Sequence, residues 1–182
     1  MGSGQFCTKP GLIFVPESAS AFLDEIAAHL ATLKVGPLLS ASIAERYSKA
    51  IAKIASTGAV KVLSGQDNSF GFGVTPTIFI TDWATAQKYH DLLEEHFGPT
   101  SVIIKATESD YVSIAEELQG QLTATIQGAA SDDVASLLSI LSERAGRVIW
   151  NGFPTGVAVT EAMQHGGPWP SSSTHTTSVG ID

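Results

Sequence analysis

A chain of 182 residues, 43% apolar and 15% charged, can fill one sizeable core or two small ones and has a globular rather than a disordered composition. Its formal net charge of −8 argues against nucleic acid or an anionic membrane as the main partner. One cysteine excludes an internal disulfide and a cysteine-only metal site; with no basic-plus-apolar leader and no apolar run near the roughly 20 residues of a membrane span, the expectation is a soluble, cytoplasmic protein.

The cysteine lies in Gly4-Gln5-Phe6-Cys7-Thr8-Lys9-Pro10-Gly11, between a glycine and a Pro-Gly turn. Residues 12–15 follow as an apolar run of strand length, closed by Pro16. Ser18 and Ser20 offer N-caps to a helix carrying Phe22, Ile26, Leu30 and Leu33 at helical spacing, and Gly36-Pro37 breaks it. Ser42-Ile43-Ala44-Glu45 reads as a capping box for a second helix, with Ile43, Tyr47, Ile51 and Ile54 as its stripe and Gly58 as its terminal glycine. Residues 60–63 form a short strand. Gly71-Phe72-Gly73-Val74 does not read as a dinucleotide loop, because Pro76 stands where the third glycine belongs and no helix follows. An extended segment is predicted over 75–80 and an amphipathic helix over 84–94, after which Phe97-Gly98-Pro99 turns the chain into a buried strand at 101–105. A helix at 110–118, with Thr107 and Asp110 at its start, leads to a strand at 123–126. Ser131 then caps a helix with Val134, Leu137, Leu138 and Leu141 on one face; Gly146 ends it before a strand at 148–150.

Strands separated by helices of this length imply crossover connections, and therefore a three-layer α/β domain with a mostly parallel sheet. Residues 151–182 are rich in Gly, Pro, Ser and Thr, without periodicity, repeat or linker.

A cysteine nucleophile needs its thiolate and donors for the oxyanion that forms on attack. A backbone N–H in the tight turn, that of Cys7 itself first, can supply one donor. A base is harder to find, because His29, His90, His96, His165 and His175 are scattered. Two readings therefore stand beside an oxidoreductase: a Cys-dependent hydrolase or amidotransferase, which requires a histidine brought to Cys7 by the fold, and a non-catalytic interaction domain with a buried, unreactive thiol.

Four ordered segments carry a resemblance. Gly-Gln-Phe-Cys-Thr-Lys-Pro-Gly resembles the nucleophile segment of the aldehyde dehydrogenase family. Glu94-Glu95-His96-Phe97-Gly98-Pro99 resembles its Glu-x-Phe-Gly-Pro motif, and Gly71-Phe72-Gly73-Val74-Thr75-Pro76-Thr77 is similar to a structural Gly-Tyr-x-x-x-Pro-Thr segment. Arg144-Ala145-Gly146-Arg147-Val148-Ile149-Trp150-Asn151-Gly152 resembles the Arg-Ala-Gly-x-Val-x-x-Asn stretch that leads into the aldehyde entrance. The resemblance implies that Cys7 attacks the aldehyde, that Glu95 holds the nicotinamide ribose of NADP or NAD, and that Phe97 flanks the nicotinamide. Phe6, Thr8, Phe153, Pro154, Thr155 and Gly156 should border a small-molecule aldehyde. Gln164-His165-Gly166-Gly167-Pro168-Trp169-Pro170 is similar to the branch that acts on α-ketoglutarate semialdehyde or fatty aldehydes, often with NADP. The family's Rossmann cofactor domain, general-base glutamate, oxyanion asparagine and pairing strand have no counterpart in these residues. The expectation is thus that residues 1–182 are a catalytic domain whose parent is a homo-oligomer, with no metal and no activity in isolation.

Overall fold

Residues 12–15, 78–80 and 102–104 are apolar at successive positions rather than alternate ones, so any sheet they build needs cover on both faces. The computed structural model, which describes residues 2–156 and 166–170, supplies that cover. The chain divides into two compact units, Met1–Glu108 and Ser109–Asp182.

In the first unit, β1 (Leu12–Pro16), β2 (Lys61–Ser64), β3 (Thr77–Asp82) and β4 (Thr100–Ala106) form one sheet in the order β1-β4-β3-β2. β1 and β3 both run parallel to β4, and only the edge strand β2 is antiparallel. Period-two alternation sends Leu12, Phe14, Phe79, Val102 and Ile104 to one face. There they pack on Ile51 and Ile54 of α2 (Ala41–Ser56), Ala86 of α3 (Trp83–Lys88) and Leu92. Ile13, Val15, Ile78, Ile80 and Ile103 take the other face, against Ala19 and against Leu23 and Ile26 of α1 (Ser20–Thr32). The result is the three-layer, mostly parallel α/β arrangement expected from the sequence.

Several elements differ in detail. The buried stripe of α1 runs through Leu23, Ile26 and Leu30, while Phe22 and Leu33 are 43% and 46% exposed. No side chain caps α1, so neither Ser18 nor Ser20 performs that role. Ser40, not Ser42, caps α2: its extended backbone lets the hydroxyl accept from the Ile43 N–H at 3.3 Å. The helix predicted over 84–94 stops at Lys88, because Tyr89 leaves helical geometry (φ −116°, ψ 79°), and a 3-10 turn at His90–Leu93 completes the segment.

The second unit holds α4 (Tyr111–Glu117), β5 (Gln121–Ile126), α5 (Ala135–Arg144) and β6 (Ala145–Trp150), with β5 and β6 paired in parallel. Gly146 does not end α5. It is the second residue of β6, where a Cβ would stand 2.1 Å from the Gly166 carbonyl oxygen. Ser131 does not cap α5; the Asp133 carboxylate accepts from the Ala135 N–H, the first of the helix, at 3.2 Å. Its Leu138 is 44% exposed, and with Ile126, Val134, Val148 and Trp150 it lines an open apolar groove of about 410 Å³. No helix among the described residues is long and apolar enough to cross a membrane.

Candidate active site

Three turns lead into the three parallel strands of the first unit and therefore stand off the same end of the sheet. The turn before β1 carries Cys7, segment 94–99 precedes β4, and the Gly71–Pro76 stretch precedes β3. Close backbone approach holds the first two together. Gly4, at φ +71°, has room only for hydrogen: a Cβ there would lie 2.2 Å from the Gly98 carbonyl oxygen. Gly98, at φ +128°, faces the Tyr47 ring, which a Cβ would meet at 2.7 Å. Tyr47 in turn donates its hydroxyl to the Thr75 carbonyl (2.8 Å) and also stands 3.2 Å from that of Pro99. Burial pushes that phenol up to about 12, so it remains a neutral donor.

Within the first turn, the Lys9 N–H donates to the Phe6 carbonyl at 3.1 Å and presents Cys7 between them. Cys7 is a free thiol and exposed. Phe6 is also exposed, at 49%, whereas Thr8 is buried. Gln5 ties the approach by donating to the Gly2 carbonyl and accepting from the Leu39 N–H, and Ser3 donates to the Gly36 carbonyl. The N–H groups of Cys7 and Thr8 meet no acceptor among the described residues, which leaves them free to donate to an oxygen formed beside the thiol. An exposed cysteine on a turn held this firmly is expected to react with iodoacetamide in the folded chain. Mass spectrometry without denaturant checks this; alkylation that appears only after unfolding contradicts it.

Lys9 links the two turns. Its ammonium donates to the His96 carbonyl at 3.0 Å and to the Thr100 carbonyl. Burial pushes it down to about 8, with the Glu95 carboxylate pulling the other way. Glu95 and Phe97 are both exposed on this segment, and Glu95 makes no ion pair among the described residues. Two carboxylate oxygens are thus available to a pair of hydroxyls beside an accessible aromatic ring, and this set fits a nicotinamide riboside. Ring Nε2 of His96 lies 2.7 Å from the Asp91 carbonyl, and no histidine among the described residues hydrogen-bonds Cys7. His165 and His175 lie outside the described residues, as does Gln164. The sequence carried one signal for Lys9 that the motif reading passed over: it is the only charged side chain in residues 1–16.

The second unit holds the remaining candidates. Phe153 and Thr155 are exposed and Pro154 is buried, and Pro154–Gly156 forms a single 3-10 turn after β6. Asn151, at φ +50°, anchors this stretch: its side chain accepts from the Gly128 N–H and donates to the Gly128 carbonyl, both at 2.8 Å.

The model of the aldehyde dehydrogenase family matches residues 1–179. The chain belongs to the aldehyde dehydrogenase family. It is 39% identical to an alpha-ketoglutaric semialdehyde dehydrogenase of Acinetobacter baylyi over 99% of this chain and 36% of that relative. It is 36% identical, with the same coverage, to alpha-ketoglutaric semialdehyde dehydrogenase 2 of Azospirillum brasilense. Among solved structures, a glyceraldehyde-3-phosphate dehydrogenase, GapN, of Methanocaldococcus jannaschii complexed with NADP covers 91% of this chain and 37% of its own, at 25% identity and a TM-score of 0.70. The Delta-pyrroline-5-carboxylate dehydrogenase of Mycobacterium tuberculosis bound with NAD shares the fold at 22% identity and a TM-score of 0.76, over 96% of this chain and 34% of that one. The chain spans about a third of the length of the relatives it matches.

Proposed function

We propose that residues 1–182 are the catalytic domain of an NAD(P)-dependent aldehyde dehydrogenase that oxidises a semialdehyde, such as α-ketoglutarate semialdehyde, to a carboxylic acid. One observation carries the reading: an exposed Cys7 sits on a turn that Lys9 ties to the segment bearing Glu95 and Phe97. The Cys7 thiolate adds to the aldehyde carbon, and the resulting oxyanion accepts from the Cys7 or Thr8 N–H. Glu95 would accept from the ribose hydroxyls, and Phe97 would flank the ring, of NADP or NAD. A bound nicotinamide supplies the hydride acceptor. The Cys7 sulfur carries the substrate as a thiohemiacetal before oxidation and as a thioester after it, and water releases the acid. Phe6 and Thr8 border the aldehyde in this reading; the role of Phe153, Pro154, Thr155 and Gly156 in the second unit rests on the motif resemblance alone. The semialdehyde preference rests on the two relatives and on the Gly166-Gly167-Pro168-Trp169-Pro170 stretch. A cytoplasmic, homo-oligomeric parent completes the proposal.

An activated ester separates this function from a cysteine hydrolase. With p-nitrophenyl acetate the 182-residue chain should release one equivalent of p-nitrophenol and retain acetyl on Cys7, since it holds a nucleophile without the family's base. Steady turnover would mean that the chain contains its own base and is a hydrolase. Acetylation elsewhere, with Cys7 free, would remove Cys7 from the nucleophile's role.

A further inference from the structure

Lys9 is a costly residue to place where it stands, and nothing in the chemistry proposed above uses it. A lysine stem withdrawn from water on a turn of Gly, Thr and Pro offers little packing that an apolar residue could not match. What a lysine adds is three donors at the end of a long reach. Here they cross between segments far apart in sequence, to the carbonyls of His96 and Thr100. Those two carbonyls bracket Phe97, Gly98 and Pro99, and Thr100 opens the strand whose neighbour, β1, begins just after the Cys7 turn.

We propose that Lys9 is a positioning residue: by bridging the His96 and Thr100 carbonyls it fixes the separation between the Cys7 thiol and the segment that presents Glu95 and Phe97. The functional meaning rests on the reading given under Proposed function; the geometric coupling does not. Past the Cys7 turn the two segments are already registered, by Ser101 Oγ donating to the Pro10 carbonyl at 2.7 Å and the Val102 N–H donating to that of Gly11 at 2.8 Å. Lys9 adds the directional tie nearer the thiol, two hydrogen bonds from one nitrogen to carbonyls on either side of residues 97–99. The Glu95 carboxylate is the charged group whose field reaches Lys9; Cys7 on its own turn, Glu94 and His96 on the facing segment and Tyr47 of α2 are the other titratable groups on the elements around it.

The test uses the 182-residue chain and no cofactor, so its outcome is independent of whether the protein is a dehydrogenase. Amide hydrogen exchange is followed at Phe97 and Gly98 in the wild type and in Lys9→Met, which keeps the stem and removes the donors. Near pH 9 the substitution should raise opening of this segment by about 10-fold or more, with amides of β3 and β4 unchanged as proof of folding. A second readout is a pH profile that a purely structural contact would not produce. Lys9 sits near 8 when the segment is closed and returns to its ordinary 10.5 when it opens. The open state therefore binds the proton more tightly, and opening becomes rarer as pH rises between those values. Protection of Phe97 and Gly98, corrected for intrinsic exchange, should rise through that window in the wild type and stay flat in Lys9→Met. Glu95→Gln should lower the midpoint of the Lys9 Cε resonance, because the carboxylate is what holds it up. Equal protection in wild type and Lys9→Met at both ends of the window overturns the proposal.

Discussion

The 182-residue chain, assayed by itself with NAD or NADP and a semialdehyde, is expected to give no detectable aldehyde oxidation, and Cys7→Ser should not change that result. The proposed nucleophile, Cys7, is exposed, but three contributions that the proposed mechanism needs are expected to be missing from these residues. Holding the nicotinamide at about 3–3.5 Å from the reacting carbon is worth roughly 7–11 kcal/mol. Glu95 alone offers a charged hydrogen-bonding contact of about 1.5–3 kcal/mol, so the positioning term dominates. The absent side-chain oxyanion donor costs a further factor of about 10²–10³, and the absent general base about 10²–10⁴. Any one of these slows the reaction severely; together they take it below detection. Reduced nicotinamide measured by absorbance decides the matter, and steady Cys7-dependent formation would show that the chain is self-sufficient.

The second large effect is structural. Gly98→Ala should destabilise the first unit by several kcal/mol, a large share of the about 5–15 kcal/mol typical of a folded domain. Its φ of +128° is one that L side chains rarely adopt, at about 1–3 kcal/mol. The new Cβ would also lie 2.7 Å from the Tyr47 ring, and overpacking of that kind costs about 1–3 kcal/mol more. Tyr47 cannot move aside easily, since its hydroxyl is committed to the Thr75 carbonyl and lies within reach of that of Pro99. The damage should reach the site, because Phe97 precedes Gly98 directly. Chemical denaturation checks the stability, and a loss below about 1 kcal/mol would mean that the turn relaxes around the methyl group.

These two cases show which features a sequence can reveal. The strands β1, β3 and β4 were legible because successive apolar residues demand two covered faces, and the observed layers meet that demand. The stripe of α1 begins one position later than its spacing suggests: Phe22 and Leu23 are both large apolar residues, and only the sheet beneath decides which one packs. The break at Tyr89 was hidden because Leu92 continues the helical spacing while lying on a 3-10 turn. Gly146 invites reading as a helix stop, yet its reason is the carbonyl of Gly166, twenty residues away along the chain. For the proposed site, local motifs single out Cys7, Glu95 and Phe97. They do not reveal the contacts that bring their segments together. Lys9 reaches partners 87 and 91 residues distant, and no local pattern encodes such a pair.

Grafting the 182 residues into the Acinetobacter baylyi relative, in place of the 36% of its length that they match, tests most directly whether Cys7 is the nucleophile proposed for it. The chimera should form reduced nicotinamide from α-ketoglutarate semialdehyde, and Cys7→Ser should abolish it. A folded chimera that binds NADP or NAD but gives no turnover, or turnover that survives Cys7→Ser, would contradict the account.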